Sequence, residues 1–380
     1  MLLPTPRDSF HRPTQGSLTP KASEAPGSFA KFGKIAPVSR ARGSRNNMTV
    51  LVTGSAGHLG EALMRTLRAT SRPSLGVDIK ASAFTDRVGS ICDRTFVGQC
   101  MRGVRTVIHA ATLHKPHVAT HTKQDFIETN ITGTLVLLEA AAAAGVECFL
   151  YTSTTSTFGA ALTPAAGEPA AWVTEGVVPI PKNIYGVTKL AAESLCELFS
   201  RKHNLPALVL RTSRFFPEDD DDASMRSEYE TANAQANELL YRRVDVEDVV
   251  SAHFVAEQKV HASGFQPEAG FRRYIISATT PFRRNDLAEL RRDAAGVVRR
   301  LLPDCEAFYA TRGWKLFPSL DRVYVNDLAV SELDWRPKYD FQHVLASLRA
   351  GEDFRSPLAR EVGAKGYHAT LFDRGPYPVA

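Results

Sequence analysis

Cysteine is scarce in this chain, and long hydrophobic runs are missing. Five cysteines are spread over 380 residues, and none stands in the Cys-x-x-Cys or Cys-x-x-His spacing of a zinc site. We therefore expect reduced thiols, no metal centre and a cytoplasmic protein. No apolar run approaches the roughly 20 residues that cross a bilayer. The alanine-rich stretch 135–144 contains Glu139 and predicts a buried helix, so no membrane partner is expected.

Basic charge is also missing from most of the chain, although the formal net charge is +5. Eight basic and two acidic side chains fall within residues 1–47, so the remainder is close to neutral. A neutral folded part has no general field for nucleic acid, and none is expected as a partner. The Pro-, Ser- and Arg-rich leader 1–47 is predicted to be disordered. It is either a dispensable tail or a targeting segment for a mitochondrion or another organelle.

Apolar strand patterns alternate with helical patterns from Thr49 onwards. The strand patterns cover 49–53, 73–78, 106–110, 148–152 and 207–212. The helical patterns follow Gly60 and cover 98–102, 126–144 and 185–203. This alternation predicts an α/β fold with a Rossmann-type, doubly wound parallel sheet. We assign residues 48–214 to this dinucleotide-binding domain, and the irregular remainder, 215–380, to a smaller substrate-binding region that partly returns to the sheet.

Three glycines follow the first strand, in the segment Val50-Leu-Val-Thr-Gly54-Ser-Ala-Gly57-His-Leu-Gly60. Gly54 permits a tight turn, Gly57 lets the backbone approach a pyrophosphate, and Gly60 lets the helix pack closely on the strand. The helix N-terminus then offers free N–H groups to the phosphates. The segment predicts a dinucleotide site formed by Gly54, Ala56, Gly57, His58, Leu59 and Gly60.

The second predicted strand ends at Asp78, eighteen residues after Gly60. A carboxylate at this place accepts hydrogen bonds from the adenosine ribose hydroxyls and repels a 2′-phosphate, which favours NAD as the cofactor. Lys80 and Arg72 lie nearby in the sequence and leave NADP open.

A tyrosine and a lysine four residues apart, Tyr185 and Lys189, open a long amphipathic helix. The spacing places both on one helix face. The lysine ammonium, with a positive nicotinamide ring, is expected to lower the pKa of Tyr185. Tyr185 would take the proton of a substrate hydroxyl while hydride leaves for the cofactor, and Lys189 would also hold the nicotinamide ribose. A hydroxyl of the strand-end run 152–157 would bind the substrate oxygen.

Taken in order, these motifs resemble the extended short-chain dehydrogenase/reductases, in the NAD-dependent epimerase/dehydratase group that includes UDP-glucose 4-epimerase. The resemblance covers residues 49–212 and also rests on Val107-Ile-His-Ala-Ala111, Asn130-Ile-Thr-Gly-Thr134 and Leu210-Arg211. It implies that Thr154, five residues before Gly159, is the catalytic hydroxyl and that Asn130 supports the lysine. It implies a homodimer through the two long helical segments. It also implies cofactor contacts at Ser90, Ile91, Ala110, Ala111, Tyr185 and Lys189.

Departures from the family pattern narrow the function. Thr155 and Ser156 stand where the 4,6-dehydratases carry an Asp-Glu pair. No acid is then available to protonate a leaving hydroxyl, so dehydration is not expected. The acidic run 218–222 edges the substrate pocket and is interpreted as a solvated loop.

The positions that would bind a substrate diphosphate also differ from the family. Arg214 replaces an Asn, and the later family arginine is displaced to Arg242 or Arg243. Guanidinium groups at Arg214 and Arg243 still suit a diphosphate; alternatively, the substrate carries a carboxylate or no anion. His114 stands where some epimerases place a lysine that contacts the substrate or the cofactor.

The sequence therefore favours an NAD-dependent epimerase acting on a sugar-like secondary alcohol, with a nucleotide sugar as the expected small-molecule substrate. The first alternative is a net NAD(P)-dependent dehydrogenase or reductase for a non-nucleotide alcohol or ketone, since the same residues would serve it. The second is a non-catalytic NAD-binding sensor.

Overall fold

Parallel strands form the centre of the computed structural model, which describes residues 49–262 and 270–366. Within these ranges the strands are β1 (Thr49–Thr53), β2 (Ser74–Asp78), β3 (Arg87–Val88), β4 (Val104–His109), β5 (Cys148–Thr154), β6 (Ala171–Val173), β7 (Ala207–Thr212), β8 (Phe271–Ile276) and β9 (Arg322–Tyr324). Seven of them pair in the order β3-β2-β1-β4-β5-β7-β8, and β6 pairs separately with β9. Every described pairing is parallel.

Helices connect these strands. The α-helices of the described ranges are α1 (His58–Ala69), α2 (Arg94–Cys100), α3 (Lys123–Phe126), α4 (Gly133–Ala144), α5 (Ile184–His203), α6 (Ala223–Glu228), α7 (Thr231–Glu238), α8 (Val246–His261), α9 (Leu287–Leu301), α10 (Cys305–Thr311), α11 (Phe341–Ala350) and α12 (Pro357–Val362). A wider, π-type turn, Ile127–Thr132, joins α3 to α4.

The sheet is covered on both faces because successive strand residues point to opposite sides. Val50 and Val52 of β1 lie in one core with residues of α1 and α8. Leu51, between them, lies in the other core with residues of α4 and α5. The predicted doubly wound α/β fold is confirmed.

The second half of the chain adds to the sheet and builds a further core. Strand β8 pairs with β7 at the sheet edge, so residues beyond 214 complete the sheet. Leu290 of α9, Tyr309 of α10 and Phe341 of α11 are buried together in a separate apolar cluster. This cluster supports the segments beside the cavity described below, at the end that we propose for the substrate.

One predicted helix was misplaced, and the predicted leader lies outside the described residues. The pattern at 98–102 corresponds to α2, which begins earlier because the Asp93 side chain caps it by accepting hydrogen bonds from the Thr95 and Phe96 N–H groups. The leader 1–47 and the extreme C-terminus fall outside the described ranges.

The helical run Lys123–Ala144 is long and apolar enough to cross a membrane by length and composition alone, a test that core helices of soluble proteins also pass. Its residues Val136, Leu137 and Leu138 are buried against the sheet. This burial accounts for the apolar character of the run.

The strand order reverses between β1 and β4, since the chain moves from β1 to β2 on one side and later returns to β4 on the other. Open parallel sheets bind ligands in the crevice at the carboxyl ends of the strands at such a switch point. The glycine segment after β1 and the residues Ala110 and Ala111 after β4 both lie there.

Candidate active site

The turn after β1 is shaped by two glycines that exclude any side chain. Gly54 has φ +75°, in the left-handed region that glycine tolerates. A Cβ at Gly54 would stand 2.7 Å from the Ala111 nitrogen, and a Cβ at Gly60 would stand 1.9 Å from the Gly54 carbonyl oxygen. Gly57 directly precedes α1, and its N–H donates to the Gly54 carbonyl at 3.0 Å. The turn thus brings the free N–H groups at the start of α1 to the cavity wall, where a pyrophosphate fits.

Asp78, the last residue of β2, faces this turn. Its carboxylate accepts hydrogen bonds from the Ala56 N–H at 3.0 Å and from the Lys80 N–H at 2.9 Å. The carboxylate is therefore fixed beside the phosphate cradle, where a ribose contact requires it. Arg72, one of the two cations that left NADP open, pairs with Glu257 at 2.7 Å.

A cavity of about 1180 Å³ connects the glycine turn with the predicted catalytic residues. Every residue predicted to contact the cofactor lines it, and so do Thr154, His114 and Arg214. Asn130 and Arg243 are not among the described residues of the cavity wall.

Tyr185 reaches the cavity from the first turn of α5. The Asn183 side chain caps this helix by accepting a hydrogen bond from the Gly186 N–H at 3.1 Å. The Tyr185 ring is buried. Burial raises the pKa of Tyr185 to about 12, and a hydrogen bond with the Thr154 hydroxyl opposes this rise. The structure therefore places Thr154 and Tyr185 side by side, as the family resemblance implies.

Lys189 lies one helical turn further along the same face and is almost fully buried. Its Nζ donates to the Thr152 carbonyl at 2.6 Å and lies 4.1 Å from the centre of the Tyr151 ring. Burial lowers the pKa of Lys189 to about 7, against the opposing effect of Glu193. The expectation that Lys189 lowers the pKa of Tyr185 is wrong for the protein groups alone. The ammonium is directed to Thr152 and Tyr151, and burial of the phenol dominates.

Asn130 lies in the π-type turn and ties the loop after β4 to α5. Its amide nitrogen donates to the Leu113 carbonyl at 2.9 Å and to the Thr188 hydroxyl at 3.0 Å. Its amide oxygen accepts from the Leu113 N–H at 2.8 Å. Asn130 thus contacts the residue before Lys189, and its predicted support of the lysine acts through the helix backbone.

A buried network beneath the site was missed from the sequence. Glu193, one turn after Lys189, accepts hydrogen bonds from the Ser153 hydroxyl at 2.6 Å and from the Arg211 guanidinium at 2.7 Å. Arg273 of β8 donates to the same carboxylate at 3.1 Å. The network locks α5 to the carboxyl ends of β5 and β7. The spacing of four between Lys189 and Glu193 was the available signal.

The arginines predicted for the substrate are paired with carboxylates of the same chain. Arg214 donates to Asp220 at 2.7 Å. Arg242 and Arg243 each donate to the buried Glu238 at 2.6 Å. Burial would raise the pKa of Glu238, but Arg242, Arg214 and Arg243 lower it to about 2.

The acidic run 218–222 is not a solvated loop, and that interpretation was wrong. Glu218 pairs with His58 of the glycine turn at 2.8 Å, and Asp221 pairs with Lys115. Asp222 caps α6 through the Ser224 N–H at 2.9 Å. The carboxylates meet cations from remote parts of the sequence, which is why the run alone gave no sign of these contacts. Beside them, the His114 ring stacks on Phe216 at 5.4 Å.

A dinucleotide cradle with a Thr–Tyr–Lys set on the wall of the same cavity defines the class of the protein, an extended short-chain dehydrogenase/reductase. The family model described as the NAD dependent epimerase/dehydratase family matches residues 50–266, more than half of the chain. The chain belongs to this family. Its membership confirms the predicted resemblance, the prediction of an NAD-dependent enzyme at family level and NAD as the cofactor.

Similar proteins differ in the reactions that their names state. The UDP-glucose 4-epimerase of Erwinia amylovora is 28% identical over 175 residues, which are 40% of this chain and 49% of that protein. The NAD-dependent glucose-6-phosphate dehydrogenase of Haloferax volcanii is 30% identical over 178 residues, 43% of this chain and 66% of that protein. The chain thus matches about half to two thirds of the length of these relatives.

A solved structure supports the fold. A short-chain dehydrogenase/reductase superfamily protein from Agrobacterium tumefaciens, solved with bound NAD, superposes with a TM-score of 0.56 at 20% identity. The match covers 82% of this chain and 99% of that protein.

Proposed function

We propose that the chain is an NAD-dependent epimerase that inverts a secondary alcohol of a sugar-like substrate by transient hydride transfer. The observation that carries the proposal is the placement of Thr154, Tyr185 and Lys189 on the wall of the cavity that also contains the glycine turn. Family membership and the name of the Erwinia relative support it. A nucleotide sugar is the substrate that the names of the epimerase relatives favour.

The residues at the switch point suit NAD. The glycine turn and the start of α1 would hold the pyrophosphate, and Asp78 would hold the adenosine ribose. When bound, NAD would supply a reversible acceptor for the hydride of the alcohol carbon, and return of that hydride to the opposite face of the ketone would give the epimer.

Tyr185 handles the proton in this scheme. As the C–H bond breaks, the O–H bond of the substrate also breaks, its proton passes to the Tyr185 oxygen, and a carbonyl forms. The Thr154 hydroxyl donates a hydrogen bond to the substrate oxygen and holds the substrate in place. Because burial raises the pKa of Tyr185 to about 12, ionisation of the phenol needs a positive charge nearby, which the oxidised nicotinamide supplies.

The described cavity wall offers no unpaired carboxylic acid for dehydration. Its carboxylates are Asp78 and Asp221. The first accepts hydrogen bonds from the glycine turn, and the second is paired with Lys115. Thr155 and Ser156 take the positions of the dehydratase acid pair. The residues of this wall therefore support a reaction in which the hydride returns to the substrate and no water is eliminated.

The test uses the purified full-length chain. The nucleotide released on denaturation is identified by mass spectrometry, and the native protein is incubated with a panel of UDP-hexoses and free hexoses followed by NMR. We expect bound NAD and an isomerised sugar with no net NADH. The proposal is wrong if the protein carries no NAD and isomerises no sugar of either group.

A net dehydrogenase for a non-nucleotide substrate is the second candidate, because the guanidinium groups of Arg214 and Arg242 at the substrate end are already paired with carboxylates. The dehydrogenase name of the Haloferax relative agrees with it. NADH released in proportion to the alcohol consumed would establish this reaction and exclude epimerisation.

We also propose a homodimer formed through α4 and α5. Val187 and Leu198 are exposed apolar residues of α5, and Ile127 is exposed in the turn before α4. A second copy would cover these apolar side chains.

A further inference from the structure

The substrate end of the cavity is electrically compensated by its own chain. Asp220 accepts from Arg214 at 2.7 Å and from Arg242 at 3.4 Å. Glu238 holds Arg242 from the other side at 2.6 Å and lies 3.7 Å from Arg214. Arg214 and Arg242, two of the three arginines on the described cavity wall, therefore already have carboxylate partners.

Two further cations of this region also lie beside carboxylates. Lys115 is paired with Asp221, and the Arg322 Nε, which makes no hydrogen bond within the described residues, lies 3.5 Å from Asp321. The Asp220 and Asp221 side chains are only 10% and 15% exposed. The pair of Asp220 with Arg214, whose side chain is 24% exposed, is shielded from water and stronger than a surface pair, whereas Lys115 is 46% exposed and its pair with Asp221 is weaker. An incoming diphosphate would therefore have to compete with them directly.

Hydrogen bonds from side chains to its backbone carbonyl oxygens hold the acidic loop in this place. Arg214 donates to the Asp219 carbonyl at 3.0 Å, and Arg226 donates to the Asp220 carbonyl at 2.6 Å. The Gln235 amide donates to the Pro217 carbonyl at 2.9 Å. A diphosphate that bound Arg214 would break its bonds to Asp219 and Asp220 and leave Asp220 with only the longer contact to Arg242, which is costly in a shielded site.

Neutral hydrogen-bonding groups line the cavity next to the paired arginines. Ser213 is buried, and its hydroxyl has no hydrogen-bond partner among the described residues. Thr212 and the aromatic ring of Tyr324 lie on the same wall. A buried hydroxyl of this kind calls for a polar partner, and a sugar hydroxyl can supply one.

We propose that Asp220 and Asp221 determine substrate specificity by neutralising Arg214, Arg242 and Lys115 of the cavity wall, so that the substrate is an uncharged glycoside or polyol and not the nucleotide sugar that the names of the relatives favour. The inference rests on the proposed hydride transfer at Tyr185 and changes only the chemical class of the substrate's distal end. Carboxylates accept hydrogen bonds from sugar hydroxyls, and Ser213 would bind another hydroxyl.

Uridine diphosphate is the probe, titrated calorimetrically into the full-length NAD-loaded protein. We expect weak binding to the wild type, in the millimolar range or above. The isosteric double variant Asp220→Asn/Asp221→Asn should bind at least about tenfold more tightly, since two arginines and a lysine lose a partner. The control Asp219→Asn, in the same loop but without an arginine partner through its carboxylate, should resemble the wild type.

Two results would overturn the inference: micromolar binding of uridine diphosphate by the wild type, or no gain in the double variant that retains NAD and its thermal midpoint. The wild-type titration needs no mutation, so a folding defect cannot obscure the answer. A substrate panel separates this inference from the proposed function. If the enzyme turns over UDP-hexoses and no neutral glycoside, the inference is wrong but the hydride chemistry stands. If neither UDP-hexoses nor neutral glycosides reduce the bound NAD, the proposed function itself is wrong.

Discussion

The two ends of the cavity are built in opposite ways. At the end proposed for the cofactor, the glycine turn and the Asp78 carboxylate come from a single stretch, 54–78. At the substrate end, they are long side chains from several remote segments, among them Lys115, Arg214 and Glu238. A backbone cradle admits almost no variation because a Cβ at Gly60 would overlap the Gly54 carbonyl. A side-chain cluster can be rearranged by single substitutions, so substrate choice can change while the cofactor site stays fixed.

Tyr185 joins the two ends, and its removal has the largest expected effect. Tyr185→Phe should lower the turnover rate by about 10²- to 10⁴-fold, as expected for loss of a general acid–base group. NAD content should stay unchanged, because the glycine turn is untouched. Steady-state kinetics with a substrate found in the panel, and mass spectrometry of the bound nucleotide, measure the two effects. Tyr309→Phe, at a buried tyrosine of α10 that does not line the described cavity, is the matched control. Comparable activity in the two variants would contradict the role of Tyr185.

Gly60→Ala should disrupt the cofactor end. The new Cβ would stand 1.9 Å from the Gly54 carbonyl oxygen, so the turn must shift. We expect loss of NAD binding and a destabilisation of about 3 kcal/mol. Calorimetric NAD binding and the thermal midpoint measure both effects.

Gly98→Ala is the control for this variant, since a Cβ there meets nothing within 4 Å. It lies inside α2 and should leave NAD binding unchanged with a slight gain in stability. Normal NAD affinity in Gly60→Ala would show that the turn is less constrained than its geometry indicates.

Glu238→Gln should weaken the substrate end. It leaves Arg214, Arg242 and Arg243 without their shared carboxylate, and we expect a loss of about 3 kcal/mol in the free energy of unfolding. Glu306→Gln, whose carboxylate pairs with Arg299 on the surface at 3.1 Å, should lose less than about 1 kcal/mol. Equal losses in the two variants would mean that the arginine cluster does not depend on Glu238.

The same carboxylate gives a pH dependence with a defined sign. The pKa of Glu238 is lowered from 4.5 to about 2 in the folded protein. Its contribution to stability is therefore present above pH 4.5 and is lost as the pH falls toward 2. The difference in unfolding free energy between the wild type and Glu238→Gln should shrink across this window in chemical denaturation. A constant difference would contradict the shift.

The smallest effect is expected at the proposed dimer surface, which belongs to neither end of the cavity. Leu198→Glu should reduce the dimeric fraction in light scattering, because it places a charge on the exposed face of α5. Val178→Glu, an exposed apolar residue outside α4 and α5, is the control. A monomeric wild type would exclude the dimer.

The cofactor end could be predicted from the sequence because its geometry is local. The strand, the glycine turn and the first helix are consecutive, and the spacing of Tyr185 and Lys189 fixes their shared helix face. The family resemblance then selected Thr154 among several neighbouring hydroxyls, and the structure places it beside Tyr185.

The substrate end could not be predicted in the same way because its contacts join distant positions. Asp221 meets Lys115, 106 positions away, and the run 218–222 by itself has the composition of a solvated loop. Arg243 was predicted for the substrate from its position in a motif, but tertiary packing pairs it with Glu238 away from the cavity wall. Ion pairing between remote segments is decided by the fold, and neither periodicity nor spacing encodes it.

The acidic loop also touches the cofactor end. Glu218 is held by His58 of the glycine turn, while Asp220, two residues later, is held by Arg214. The acidic loop 218–222 would therefore be disturbed when a dinucleotide leaves, and also when a differently shaped sugar enters. We expect substitutions in this loop to change the residence time of the cofactor and the range of accepted substrates together. An engineer who exchanges this loop to widen the substrate range should find that the enzyme also releases its cofactor more readily.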